Sequence, residues 1–171
     1  MKRWTMLFAL LAVTLAVGCG DDDGTGPGNG GNGVVDGTLN ATVTGDYEVS
    51  FRCTAAYGVQ LEAAAGGQGT MQVQGSVVQG ADTYMISIQV YRDAATGTYD
   101  LSFPPVEGVG TISKNNVGNF SESGTVTFTQ VSSSRMKGTF SFTAFRIVGV
   151  GDKRTVTLTE GTFDVPVILG D

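Results

Sequence analysis

At 171 residues the chain is long enough for one domain with a tail to spare. Hydrophobic residues make up 41%, charged residues only 15%, and there are 26 glycines, which excludes a disordered polyelectrolyte and a helical bundle. Ten basic against sixteen acidic residues give −6 and histidine is absent, which argues against a basic nucleic-acid face and excludes an imidazole base or a His metal ligand.

In chain order the first element is residues 1–18. Met1-Lys2-Arg3 forms a positive start, and Trp4 to Val17 is a mostly apolar run of 14 residues. A membrane-spanning helix needs about 20 apolar residues, whereas a signal-peptide core has about 7–15. The run ends in Ala16-Val17-Gly18-Cys19. These residues resemble the lipobox of bacterial lipoproteins, although that family favours Leu where Ala16 stands. The resemblance implies a diacylglycerol on the Cys19 thiol, cleavage just before it, acylation (palmitate-type) of the new amine, and a place in the bacterial cell envelope. The chemistry suits the residue, since a thiol is the side chain nucleophilic enough near neutral pH to take the lipid. Two or three acyl chains anchor stably, whereas one alone does not. The competing reading is an ordinary secretory signal with a cysteine after it. Cleavage leaves eight basic against sixteen acidic residues, a charge of −8, so the membrane partner is held through Cys19 and not through attraction to anionic lipid.

Residues 19–37 follow as the lipidated cysteine and a Gly/Asp/Asn-rich tether. The composition buries too little to fold, and a flexible chain of this length spans about 24 Å. Gly26-x-Gly28-x-x-Gly31 and Gly28-x-Gly30-x-x-Gly33 match the dinucleotide fingerprint in letters. They lack the entering strand and leaving helix that the pyrophosphate needs, so no nucleotide cofactor is expected. Asp21-Asp22-Asp23 lacks the spaced, rigid ligands of a calcium loop and reads as a solvated spacer.

From residue 38 to 171 the apolar period is two, which predicts a single β domain. Leu39, Ala41 and Val43 alternate first; Val49, Phe51, Cys53, Ala55 and Tyr57 next; then Val59, Leu61, Ala63 and Ala65. Met71, Val73 and Val77 follow, and Tyr84, Ile86, Ile88 and Val90 after them. Tyr99, Leu101 and Phe103 lead into Pro104-Pro105, which ends a strand because proline lacks the ladder donor. Val126 and Phe128, Phe140, Phe142 and Ala144, Val156 and Leu158, and Phe163, Val165, Val167 and Leu169 complete the pattern. The parity changes between Leu158 and Phe163, which predicts a bulge near Glu160-Gly161. Gly-Thr pairs at 97–98, 110–111, 124–125, 138–139 and 161–162 read as strand openers. Cys53 falls on the apolar side and reads as a small buried hydrophobe, with a reactive thiol as the alternative.

Short connections between alternating runs predict antiparallel neighbours in a meander-like order, and hence an all-β sandwich or partly closed barrel of about 8–10 strands. The C-terminal segments around Gly124 to Thr129, Met136 to Ala144 and Thr155 to Asp164 resemble small β-rich lipoproteins of environmental Gram-negative bacteria, which are filed as domains of unknown function. The likeness implies the fold and carries no catalytic residues.

Catalytic chemistry finds little footing. A Ser-His-Asp triad is impossible without histidine, and zinc lacks His or Cys clusters. Paired carboxylates for glycoside hydrolysis would come from Glu48, Glu62, Asp93, Asp100, Glu107, Glu122 and Glu160, most of them at turns or on polar strand faces. The reading is therefore non-enzymatic: an envelope lipoprotein doing structural or interaction work, with a protein, glycan or hydrophobic ligand as partner. The alternative is a lipocalin-like carrier with an internal cavity. Tyr91 and Phe145 lie off the core parity and are the aromatics most suited to a surface patch.

Overall fold

The computed structural model describes residues 36–61 and 67–169. Cys19, the tether up to residue 35, the glycine fingerprints, Asp21–Asp23, Glu62, Ala63 and Ala65 lie outside them. The described chain is all-β, without helices, and runs as ten strands: β1 Thr38–Gly45, β2 Val49–Cys53, β3 Tyr57–Leu61, β4 Thr70–Gln79, β5 Asp82–Val90, β6 Gly97–Asp100, β7 Gly108–Lys114, β8 Val117–Val131, β9 Arg135–Gly149 and β10 Asp152–Leu169.

The long strands β8, β9 and β10 form consecutive hairpins. β10 carries β1 and then β2 on its far side, and β8 carries β6. A second layer runs β3-β4-β5-β7. Two short seams join the layers: the end of β10 pairs with β3, and the start of β8 pairs with β7. β3, β4, β5, β7, β8, β9 and β10 thus close a hydrogen-bonded ring of seven strands. The β3–β10 pair is parallel, an exception to the antiparallel expectation. It joins strands from opposite ends of the sequence, so the long crossover that parallel pairing needs is most of the domain itself.

Alternation puts the expected residues inside. Leu39, Ala41, Val43, Val49, Phe51, Cys53, Met71, Val73, Val77, Tyr84, Ile86, Ile88, Val90, Val126, Phe128, Phe140, Phe142, Ala144, Val156, Leu158, Phe163 and Val165 are all buried in one core. The bulge lies where the parity break placed it. The β9–β10 register shifts between Leu158 and Gly161, and Glu160 takes φ 54°. β8 shifts between Ser121 and Ser123, beside Gly124 at φ 148°. Bulges bend and twist a strand; these two flank β9 about two residues apart, opposite Thr143–Ala144 and Phe140–Phe142, on the two strands that serve both layers.

Four expectations are corrected. The run from Val49 to Tyr57 is two strands: Ala56 turns inward and its N–H bonds to Gly37 O at 2.8 Å, so parity flips. Gly58 then faces the core, Val59 is half-buried and Leu61 is exposed. β6 ends at Asp100, before the prolines, and the Asp100 N–H, on the edge away from β8, is taken by the Glu107 carboxylate at 3.0 Å. Leu101 is buried there, Tyr99 is half-buried and Phe103 is exposed. Of the Gly-Thr pairs only Gly97 opens a strand; Gly110, Gly124, Gly138 and Gly161 lie within strands. β7 and the start of β8 carry no apolar alternation, because Gly108, Gly110, Asn119 and Ser121 occupy inward positions.

Candidate functional site

β1, β4, β7 and β9 end where β2, β5, β8 and β10 begin, so four turns gather at one end of the sandwich. The chain enters at the other end, since Thr38 pairs with Asp164 while Gly45 pairs with Val156. From Asp164 to Asp152 along β10 is about 40 Å.

The four-turn end holds a recess of about 350 Å³ lined by Asp46, Tyr47, Lys114, Asn115, Val117 and Arg146. The β7–β8 turn builds one wall. Asn115 and Asn116 adopt positive φ of 51° and 66°, a conformation that asparagine tolerates in tight hairpins. Asn115 Oδ1 accepts the Thr83 N–H at 2.9 Å and its Nδ2 donates to Asp82 at 2.7 Å, which pins the turn to β5. Lys114 Nζ lies 2.8 Å from Asp82 and about 5.7 Å above two aromatic rings, at 5.8 Å from Tyr47 and 5.6 Å from Tyr84. The rings pack at 5.7 Å.

The opposite wall is ionic. Arg146 donates to Asp46 at 2.8 Å, and Arg154 reaches the other Asp46 oxygen at 3.4 Å and Asp152 at 3.2 Å. Behind Tyr47 lies Asn119, fully buried, whose Nδ2 donates to Ile112 O at 3.2 Å and to the Tyr47 hydroxyl at 3.4 Å. Asn119 Oδ1 and Arg146 Nε are buried without a hydrogen-bond partner. Unmet buried polar atoms are costly, and both of these are enclosed by the protein.

Burial pushes the Tyr47 hydroxyl up to about 12, against the opposing pull of Arg146. It is a proton donor across the physiological range. The hydrogen bond from Lys114, then that from Asn115, holds the Asp82 carboxyl below its ordinary range, and Asp82 in turn raises Lys114.

A second, shallower depression of about 250 Å³ lies on the outer face, lined by Thr125, Thr127, Thr139, Phe140, Ser141, Glu160, Gly161 and Thr162. Its one carboxylate, Glu160, accepts a bond from Thr42 at 3.1 Å. Of the other described carboxylate candidates, Asp100 and Glu107 adjoin through the bond from the Asp100 N–H to the Glu107 carboxylate. Glu48 and Asp100 are exposed, Asp93 accepts the Gly69 N–H, Glu107 pairs with Arg92, and Glu122 pairs with Lys153. Neither recess contains two of them. Among the described residues no group of three or more His, Cys, Asp or Glu is placed to hold a metal ion.

Phe145 lies on the outer face, beside Phe120 across the strand pair, with Lys153 Nζ 5.1 Å from its ring. Tyr91 is half-buried with its hydroxyl near Gln89. Sequence reading missed the recess because its residues sit in turns and at strand ends, outside the apolar period. The signal that was present is Asn115-Asn116, a turn pair beside Lys114.

Comparison with protein-family models, with curated proteins and with solved structures returned no match for the chain.

Proposed function

We propose that this chain is a lipid-anchored protein of the bacterial envelope, held by acyl chains on Cys19, whose β domain works by binding. The observation that carries the reading is the polarity of the domain. The chain enters at Gly37, at the opposite end from the Tyr47 recess. A flexible lipid-held tether of about 24 Å then leaves the recess, at the far end, free to turn away from the bilayer. The interior supports recognition on the outside: Phe142 of one layer packs against Gly110 of the other, and Met136 against Gly58, so side chains fill the space a carried ligand would need.

Growth with an alkyne fatty acid tests the anchor. The wild-type chain becomes labelled and Cys19→Ser does not. Equal labelling of both, or of neither, overturns the proposal.

A further inference from the structure

The recess at the four-turn end satisfies its own charges, with Lys114 on Asp82, Arg146 on Asp46 and Arg154 on Asp152. The outer-face depression is accounted for by the bulge that bends β10. The outward face of the second layer is a different kind of surface, broad and without charge.

We infer that the outward face of β3-β4-β5-β7 is a homodimer interface, covered by a second copy of this chain related by a two-fold axis. The strand register lays the face out. One row runs Tyr57, Gln74, Ser87, Thr111 and, across the seam to β8, Phe120. The next runs Val59, Gln72, Gln89 and Val109, with Ile168 of β10 beside Val59. Leu61 and Val78 stand exposed at its two ends, and Phe103 extends it by stacking on Phe120 at 5.0 Å. At the described outward positions of β3, β4, β5 and β7 there is no charged side chain. The outer face of the other layer, by contrast, carries Arg52, Arg135, Lys137, Glu160 and Asp164.

Charge selects the partner. The chain carries −6, so two copies repel where their acidic surfaces meet, and a charge-free face is where they approach without that cost. A two-fold axis sets the same patch on both sides, so the patch must complement itself. Glutamine, serine, threonine and tyrosine each hold a donor and an acceptor and can pair with their own copies, as a charged side chain cannot. Several are already held in place. Gln72 donates to Gln74 at 3.1 Å and to Ser87 at 3.2 Å, which lowers the ordering cost of association.

Size and shape agree. Four strands about 4.8 Å apart, the longest about 33 Å, present about 600 Å². Two copies then bury about 1,200 Å², where stable interfaces begin, and Phe120 and Ile168 widen the patch. Tyr57, Met85, Val59 and Val109 place among the amides the aromatic and apolar groups typical of interface cores. Neither recess lies on this face, so it offers a plane to a plane and no slot for a glycan or peptide chain.

Sedimentation equilibrium of the full chain in density-matched detergent tests it. The wild-type chain is a dimer. Ser87→Glu, at the middle of its row, weakens dimerisation about tenfold or more because like charges then meet near the axis, and Ser87→Lys does the same. An equimolar mixture of the two variants recovers the dimer, which misfolded chains would not do. Thr139→Glu, exposed on the other layer, dimerises as the wild type does. A wild-type monomer overturns the inference, and its retention on neutral dextran would make the face a glycan platform instead. A dimer that tolerates both Ser87 variants, a mixture that stays monomeric, or equal loss in Thr139→Glu overturns it too. None of these outcomes bears on whether Cys19 is acylated, so the two readings fail separately.

Discussion

Phe142 lies against Gly110, where an added Cβ would stand 2.9 Å from the ring, and Phe140 against Gly161, at 2.7 Å. Each glycine is a missing side chain that admits an aromatic one. In Gly110→Ala the methyl forces the ring aside at a cost of about 1–3 kcal/mol, because a filled core resists extra volume. Phe142→Ala removes the ring and costs about 3–5 kcal/mol. Phe142→Leu leaves room for the methyl, so the double variant Gly110→Ala/Phe142→Leu is less destabilised than the sum of the two singles in urea titrations. Additive losses would mean that the two residues do not share the space. Periodicity does not reveal this pairing, since a glycine on the apolar parity looks like a gap, and Gly-Thr reads as a turn followed by a strand.

At the scale of elements, the β10 bulge governs which side of the strand faces inward. Leu158 and Phe163 are five residues apart and both buried, which the bulge at Glu160 allows. Deleting Glu160 removes the extra residue, keeps Gly161, Phe163 and Val165 on the side of Leu158 and leaves a cooperative transition, whereas inserting an alanine between Gly161 and Thr162 moves Phe163 and Val165 to the wrong face and abolishes it. Glu160→Gly keeps the count, relieves a left-handed backbone and leaves stability unchanged or raised by up to about 1 kcal/mol. Circular dichroism melts of these variants test this, and an insertion as stable as wild type would contradict it. This element was legible from residues 158–163 alone, as were β1, β4, β5, β9 and most of β10, whose inward residues are apolar. β7 and the first turn-side residues of β8 were not, because their inward positions hold glycine, Asn119 and Ser121. The recess was illegible for a related reason. Its lining comes from the β1–β2 and β7–β8 turns and from Arg146 of β9, far apart in sequence, and strand periodicity says nothing about which turns meet.

Over the whole molecule, the point of chain entry and the Tyr47 recess lie at opposite ends. The chain enters the sandwich at Gly37, next to the β2–β3 jog through the Ala56 bond, and the ends of β8 and β10 run toward that same end. The four hairpin turns, the ionic wall around Asp46 and the paired tyrosines occupy the opposite end. In the proposed reading, cleavage before Cys19 leaves a charge of −8, which gives no attraction to anionic lipid, so the proposal assigns the attachment to acyl chains. The intact mass of the protein extracted from bacterial membranes tests this most directly. It should correspond to a chain that begins at Cys19 and carries a diacylglycerol and an amide-linked acyl group. A chain that retains residues 1–18, or one that begins elsewhere with the mass of bare polypeptide, would contradict it.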